Sequence, residues 1–159
     1  MFDFFKKNPA IVAPVSGKVI ELSQVPDEVF AQKLAGDGIA IASTGSEIVA
    51  PADGMLSLVF GTGHAFAITL KNGIELLVHI GIDTVALNGQ GFTKLAKQGT
   101  KVKAGTPIIK LDREVIEKAG YSLITPVLIT NPEIVKDITG AIGVDAEAGK
   151  TPVIEYKMA

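Results

Sequence analysis

A chain of 159 residues, 47% hydrophobic and 20% charged, carries enough apolar material to bury one core; this excludes a disordered protein and reads as a single domain over residues 1–159. Fifteen basic against 17 acidic residues leave a formal charge of −2 with no lysine- or arginine-rich cluster, so nucleic acid is not an expected partner. The absence of cysteine excludes disulfides, thiolate metal sites and a thiol nucleophile in this chain.

The chain begins Met1-Phe2-Asp3-Phe4-Phe5-Lys6-Lys7, apolar and then basic, the reverse of a secretory signal. These seven residues read as a terminus that frays or tucks against the core, with a weak membrane or partner contact as the alternative. No run of about 18 apolar residues follows, so no stable membrane insertion is expected and the chain reads as cytoplasmic. Its starting methionine and compact length lean toward a free-standing protein.

Beyond the terminus, evenly spread Gly and Pro punctuate short runs of Val, Ile, Leu and Phe. The runs predict strands at Ile11–Ala13, Gly17–Glu21, Ile39–Ser43, Glu47–Val49, Gly54–Val59, Ala65–Leu70, Glu75–Ile80, Lys101–Val102, Pro107–Leu111, Leu123–Ile129 and Val153–Tyr156. Helical signal is confined to Phe92–Lys97 and to Asp112–Lys118, the latter with Asp112 as its N-cap. The fold class is all-β, an antiparallel β-sandwich of barrel-sandwich hybrid kind with short surface helices. Two echoes run through it: Ile11–Gly17 repeats as Ile48–Gly54, and Ala104–Ile109 as Ala148–Ile154, a pattern of duplicated hairpins.

The two histidines, His64 and His79, flank a run centred on Asn72-Gly73, a strong hairpin signal because a two-residue type I′ turn needs positive φ at both positions. With that turn, Lys71 pairs with Ile74, Phe66 with His79, His64 with Gly81 and Thr62 with Asp83. Thr62, His64, His79 and Asp83 then share one face, with Phe66, Ile68, Leu70 and Leu77 around or beyond them. A three-residue turn would shift the register by one and place the histidines on opposite faces.

Three chemistries fit such a group. A hydrolytic zinc site needs three protein ligands and a water; only two imidazoles and Asp83 are available, and Gly81 stands where zinc peptidases of related all-β shape typically carry a histidine as third ligand. A non-catalytic carrier or interaction domain of biotinyl or lipoyl type is suggested by Ala13-Pro14-Val15-Ser16-Gly17-Lys18-Val19, although such domains are about half this length and neither Lys18 nor Lys71 has their methionine flank. Phosphoryl transfer needs one neutral imidazole nitrogen exposed to a donor and a second group to steady the added charge; Thr62 is placed to fix the tautomer of His64.

Four segments, Val78-His79-Ile80-Gly81-Ile82-Asp83-Thr84-Val85, Thr62-Gly63-His64-Ala65-Phe66, Gly36-Asp37-Gly38-Ile39-Ala40-Ile41 and Ala13-Pro14-Val15-Ser16-Gly17, resemble the glucose-class enzyme IIA components of the bacterial sugar phosphotransferase system, and the similarity covers almost the whole chain. The resemblance implies a phosphotransferase that takes a phosphoryl group from HPr on His79 Nε2 and passes it to a cysteine of the enzyme IIB domain, without a cofactor or metal. It implies that the Gly81 carbonyl holds the Nδ1 proton of His79, that His64 steadies the phosphate, and that Thr62 orients His64. It also implies a partner surface at Phe30, Leu34, Phe60, Leu77, Asp27 and Asp83, and regulatory targets as a further class of partner. Leu77 in place of a phenylalanine, and Ala86 where some relatives carry glutamate, depart from the enteric pattern. Sugar recognition belongs to the membrane component in this family, so no residue here reports the sugar.

Overall fold

The computed structural model describes residues 10–159, and the reading of the first seven residues lies outside that range. Its strands are β1 Ala10–Val12, β2 Gly17–Glu21, β3 Asp37–Ser43, β4 Glu47–Val49, β5 Gly54–Val59, β6 Ala65–Thr69, β7 Glu75–His79, β8 Phe92–Lys94, β9 Lys101–Val102, β10 Pro107–Leu111, β11 Ile124–Ile129, β12 Val135–Gly140, β13 Asp145–Ala146 and β14 Pro152–Met158. They form an eight-stranded sheet, β13-β2-β3-β11-β7-β6-β5-β9, and two three-stranded sheets, β1-β14-β12 and β4-β10-β8. All the pairings are antiparallel.

The strand orders explain the sequence echoes. Matching β1–β3 with β4–β6, and β11–β14 with β7–β10, turns one three-stranded sheet into the other and makes the eight-stranded order read the same from either end. The copies interlock at their proline turns, where Val12 N–H donates to the Pro51 carbonyl (2.9 Å) and Val49 N–H to the Pro14 carbonyl (2.7 Å). Equivalent bonds run from Gly149 N–H to Ala13 O and from Gly105 N–H to Ala50 O, both 2.8 Å. Each proline turn therefore completes a sheet of the other copy, and neither half can close its core alone. The outermost strands of the large sheet, β9 and β13, have two residues each and carry or adjoin charged side chains, Lys101 and Lys103 on one edge and Asp145 and Glu147 on the other; so little edge is poorly suited to extending the sheet.

The main core takes one side chain in two from the facing strands, including Ile11, Val19, Ile41, Ile48, Leu56, Phe66, Ile68, Leu76, Val78, Ile109, Val127 and Ile154. A smaller cluster, Leu22, Val25, Phe30, Ala40, Ile82 and Leu128, lies on the outer face of β3, β7 and β11, with Leu77 packed against it. It seats the helix α1, Glu28–Ala31, whose first turn is capped by the Asp27 carboxylate accepting from Val29 N–H at 2.9 Å.

Two local expectations are corrected. Phe92–Lys97 is not helical: Phe92–Lys94 forms β8 against Leu111–Ile109, and Leu95 N–H continues to the Ile108 carbonyl. Pairing with a buried strand outweighs weak helical propensity there, and Gly91 at φ +90° breaks the approach to a helix. The Asn72-Gly73 turn has three residues, not two. Leu70 N–H donates to Ile74 O and Gly73 N–H to Leu70 O, and Gly73 alone takes positive φ, +94°. Asn72 instead spends its side chain on the turn, accepting from Ile74 N–H and donating to the Tyr156 hydroxyl. The second helix, Arg113–Lys118, starts at Asp112 as expected, with the Asp112 carboxylate accepting from Val115 N–H at 3.3 Å.

Candidate functional site

The three-residue turn shifts the hairpin register by one: Ala65 opposes His79, Phe66 opposes Val78 and Ala67 opposes Leu77. Phe66 and Ile68 therefore point into the core, opposite His79, while Leu77 shares the face of His79. The two histidines nevertheless meet, with ring centroids 5.1 Å apart in a T-shaped arrangement.

They meet because His64 is not in the ladder. Phe60 N–H donates to the Ala65 carbonyl and encloses residues 61–64 as a loop, in which Gly63 turns at φ +76° with its N–H on the Phe60 carbonyl. The strand alternation does not reach His64, so a one-residue slip in the hairpin does not carry its ring to the other face. Ile80 N–H donates to the His64 carbonyl at 2.7 Å and holds the loop beside the end of β7.

Each ring is fixed through its Nδ1. His79 Nδ1 lies 2.7 Å from the Gly81 carbonyl. A carbonyl only accepts, so Nδ1 carries the proton and Nε2 keeps a free lone pair. His64 Nδ1 lies 2.5 Å from Thr62 Oγ1, a hydroxyl able to serve in either direction. Gly81 has left the strand at φ +84°, and a β-carbon there would lie 2.6 Å from Thr84 Cγ2 and 2.7 Å from the Ser122 carbonyl. No side chain of any metal ligand fits that position. The described residues contain no cluster of three or more His, Cys, Asp and Glu able to hold a metal ion.

Aromatic rings complete the packing. Phe30 of α1 tilts against His79 at 5.0 Å, and Phe60 meets the edge of His64 at 5.1 Å. Phe30 is 7% exposed and His64 only 4%, whereas Phe60 is 38% and Leu34 70% exposed. The six residues grouped as a partner surface thus divide. Phe30 and Leu77 belong to the packing that seats α1 and His79, while Leu34, Phe60 and Asp83 face outward and Asp27 is half-buried. Val29 on α1 and Val85 after Asp83 add exposed apolar side chains that the sequence reading passed over. A groove of about 620 Å³ lined by Met55, Leu70, Lys71, Lys101 and Lys103 contains neither histidine.

Burial lowers the pKa of His79 below its ordinary 6.5, opposed in part by the bond to Gly81 and by the carboxylates of Asp27 and Asp83. Burial also lowers that of His64, and proximity to His79 adds to the effect. Both shifts favour the neutral ring at pH 7. Between the lowered values and 6.5 the unfolded chain binds more protons than the folded one, so stability is full above about pH 6.5 and falls as the pH drops through that window. Denaturant unfolding at pH 7.5 and at pH 5 is expected to show this loss in the wild type and a smaller one in a His64→Gln/His79→Gln double variant. An equal loss in both chains would assign the pH dependence to other groups.

A family model described as phosphoenolpyruvate-dependent sugar phosphotransferase system, EIIA 1, matches residues 9–135. The chain is 48% identical over 143 residues to the PTS system glucose-specific EIIA component of Borreliella burgdorferi, covering 89% of this chain and 76% of that one. It is 44% identical over 148 residues to the PTS system N-acetylglucosamine-specific EIICBA component of Klebsiella pneumoniae, covering 93% of this chain and 23% of that one. Among solved structures, glucose permease IIA from Mycoplasma capricolum superposes with a TM-score of 0.87 at 38% identity, over 95% of this chain and 97% of the other.

Proposed function

The chain belongs to the EIIA 1 family of the phosphoenolpyruvate-dependent sugar phosphotransferase system, the phosphocarriers that accept phosphate from HPr and pass it to EIIB, and from that membership we propose that His79 is the residue phosphorylated, with His64 and Thr62 steadying the transfer. The observation that carries the reading is the bond from His79 Nδ1 to the Gly81 carbonyl, because it leaves Nε2 as the nucleophilic nitrogen. In the proposed step the Nε2 lone pair attacks phosphorus, an N–P bond forms, and the bond between phosphorus and the donor breaks. The pair of electrons from that broken bond leaves with the donor.

Phosphorylation makes His79 formally cationic at the ring and strongly anionic at the phosphoryl oxygens. The Gly81 carbonyl faces the ring proton, and His64, 5.1 Å away, faces the added anionic charge. With Thr62 donating to its Nδ1, His64 presents an N–H from Nε2 to a phosphoryl oxygen. Onward transfer uses the same groups: a cysteine thiolate of EIIB, a residue type this chain lacks, attacks phosphorus, the N–P bond breaks and its electron pair returns to His79 Nε2. Leu34, Phe60, Val29 and Val85 leave apolar side chains exposed for a protein partner to cover, and Asp27 and Asp83 supply acidic charge near His79. No described helix is long and apolar enough to cross a membrane; the reading places the carrier in the cytoplasm, beside its donor.

The test is incubation with phosphorylated HPr followed by intact-mass measurement and ³¹P NMR. One acid-labile phosphate with the signature of an Nε2 phosphohistidine is expected. A phosphate on another residue, or none, would remove His79 from the role.

A further inference from the structure

The loop after β7 fixes the Gly81 carbonyl with more than the glycine itself. Thr84 is wholly buried, and its hydroxyl donates to the Ile80 carbonyl at 2.6 Å. On the other side of Gly81, Ile82 N–H donates to the Ser122 carbonyl at 3.0 Å. Both peptide planes that meet at the Gly81 α-carbon are thereby pinned: the 80–81 plane through its oxygen by Thr84, and the 81–82 plane through its N–H by Ser122. A trans peptide points its C=O opposite to its N–H, so anchoring Ile82 N–H on Ser122 aims the Gly81 carbonyl the other way, toward His79 Nδ1. The Ile80 residue also connects the histidines, because its own N–H holds the His64 carbonyl.

We propose that Thr84 is a positioning residue for phosphoryl transfer: its buried hydroxyl locks the Ile80–Gly81 peptide so that the Gly81 carbonyl holds the Nδ1–H tautomer of His79 and leaves Nε2 free to attack. This rests on His79 being the nucleophile. Thr84 has no exposed surface, its hydroxyl has no other partner among the described residues, and it lies one bond network away from the ring it governs. A threonine kept only for packing would be replaced without consequence by valine, which has the same shape; a threonine kept for its hydroxyl would not.

The experiment compares wild type, Thr84→Val and Thr84→Ser, each labelled with ¹⁵N-histidine, by long-range ¹H–¹⁵N correlation in the unphosphorylated protein and by the rate of phosphate uptake from phosphorylated HPr. Thermal unfolding of each chain is measured alongside. Thr84→Val is expected to mix the two neutral tautomers of His79 and to slow phosphorylation by about 10-fold, the lower end of the usual cost of losing a group that orients a functional histidine. Thr84→Ser is expected to keep the wild-type tautomer and rate even if it melts earlier. A folded Thr84→Val chain with unaltered tautomer and rate overturns the proposal, as does a serine variant that loses both. If the valine variant does not fold, a Thr84→Ala chain takes its place: mixed tautomers with slowed uptake uphold the assignment, and wild-type tautomer and rate overturn it. Should the wild type prove to be phosphorylated elsewhere, the nucleophile reading fails, and the tautomer comparison still reports separately on the effect of Thr84.

Discussion

A His79→Ala chain incubated with phosphorylated HPr is expected to take up no phosphate, while the wild type takes up one acid-labile group. The loss is total because no second nucleophile replaces it: His64 is almost fully buried, its Nδ1 is engaged by Thr62, and the chain has no cysteine. Removing a nucleophile outright costs on the order of 10⁶-fold in turnover where it has been measured in other enzymes, which here means a rate below detection. Loss of fold is not the expected cause. His79 ends its strand half-buried, its backbone pairing with Ala65 does not involve the ring, and the main core lies on the opposite face of the sheet. Circular dichroism and thermal unfolding of the variant should therefore resemble those of the wild type. A variant that folds and still carries phosphate would show that another residue is the acceptor.

The sequence brought the two histidines together through a partly wrong hairpin. Asn72-Gly73 signals a hairpin in either register, and nothing local reports that Asn72 will bond Ile74 N–H and the distant Tyr156 hydroxyl in place of taking positive φ. The error left the histidines together only because His64 sits in the 61–64 loop, and Gly63 was the one visible sign that the strand had ended before it. Most strands were legible because apolar runs bounded by Gly and Pro mark them directly. Besides β8, which was read as helix, two strands were missed: β12, Val-Lys-Asp-Ile-Thr-Gly, has a register irregularity that blurs its alternation, and β13 has only two residues. The helix α1, four residues long, is too short for any periodicity. Its seat on Leu22, Val25, Ile82 and Leu128 is assembled from three separate parts of the chain, so the contact of Phe30 with the His79 ring could be read only from the folded molecule. The Ala13-Pro14 and Ala50-Pro51 echoes carried more than turn propensity, since each supplies backbone bonds to the other copy.

A His64→Ala chain is expected to separate the two halves of the cycle. In the proposed step attack on the donor uses the Nε2 lone pair of His79, and the Nδ1 contact that leaves it free is to Gly81, not to His64. Phosphate uptake should therefore persist. In the proposed onward transfer to EIIB the phosphoryl group passes through a transition state whose equatorial oxygens have lost the donor's groups, and the His64 ring, its centroid 5.1 Å from that of His79, would supply an N–H there. Removing one such donor costs about 10²- to 10³-fold. Phosphorylation should also draw a proton toward His64: the phosphate opposes the burial that lowers its pKa, so the ring titrates higher in the phosphorylated wild type than in the free protein. Rapid-quench transfer from the ³²P-labelled variant to purified EIIB, beside a histidine titration of the phosphorylated wild type, measures both effects. Normal onward transfer by the variant would mean that the phosphate is steadied by the partner's groups and that His64 serves only to pack against His79. Slow transfer with an unchanged His64 titration would assign its role to ring shape over charge, and a Thr62→Val chain, which frees the His64 tautomer without removing the ring, would then behave as the wild type.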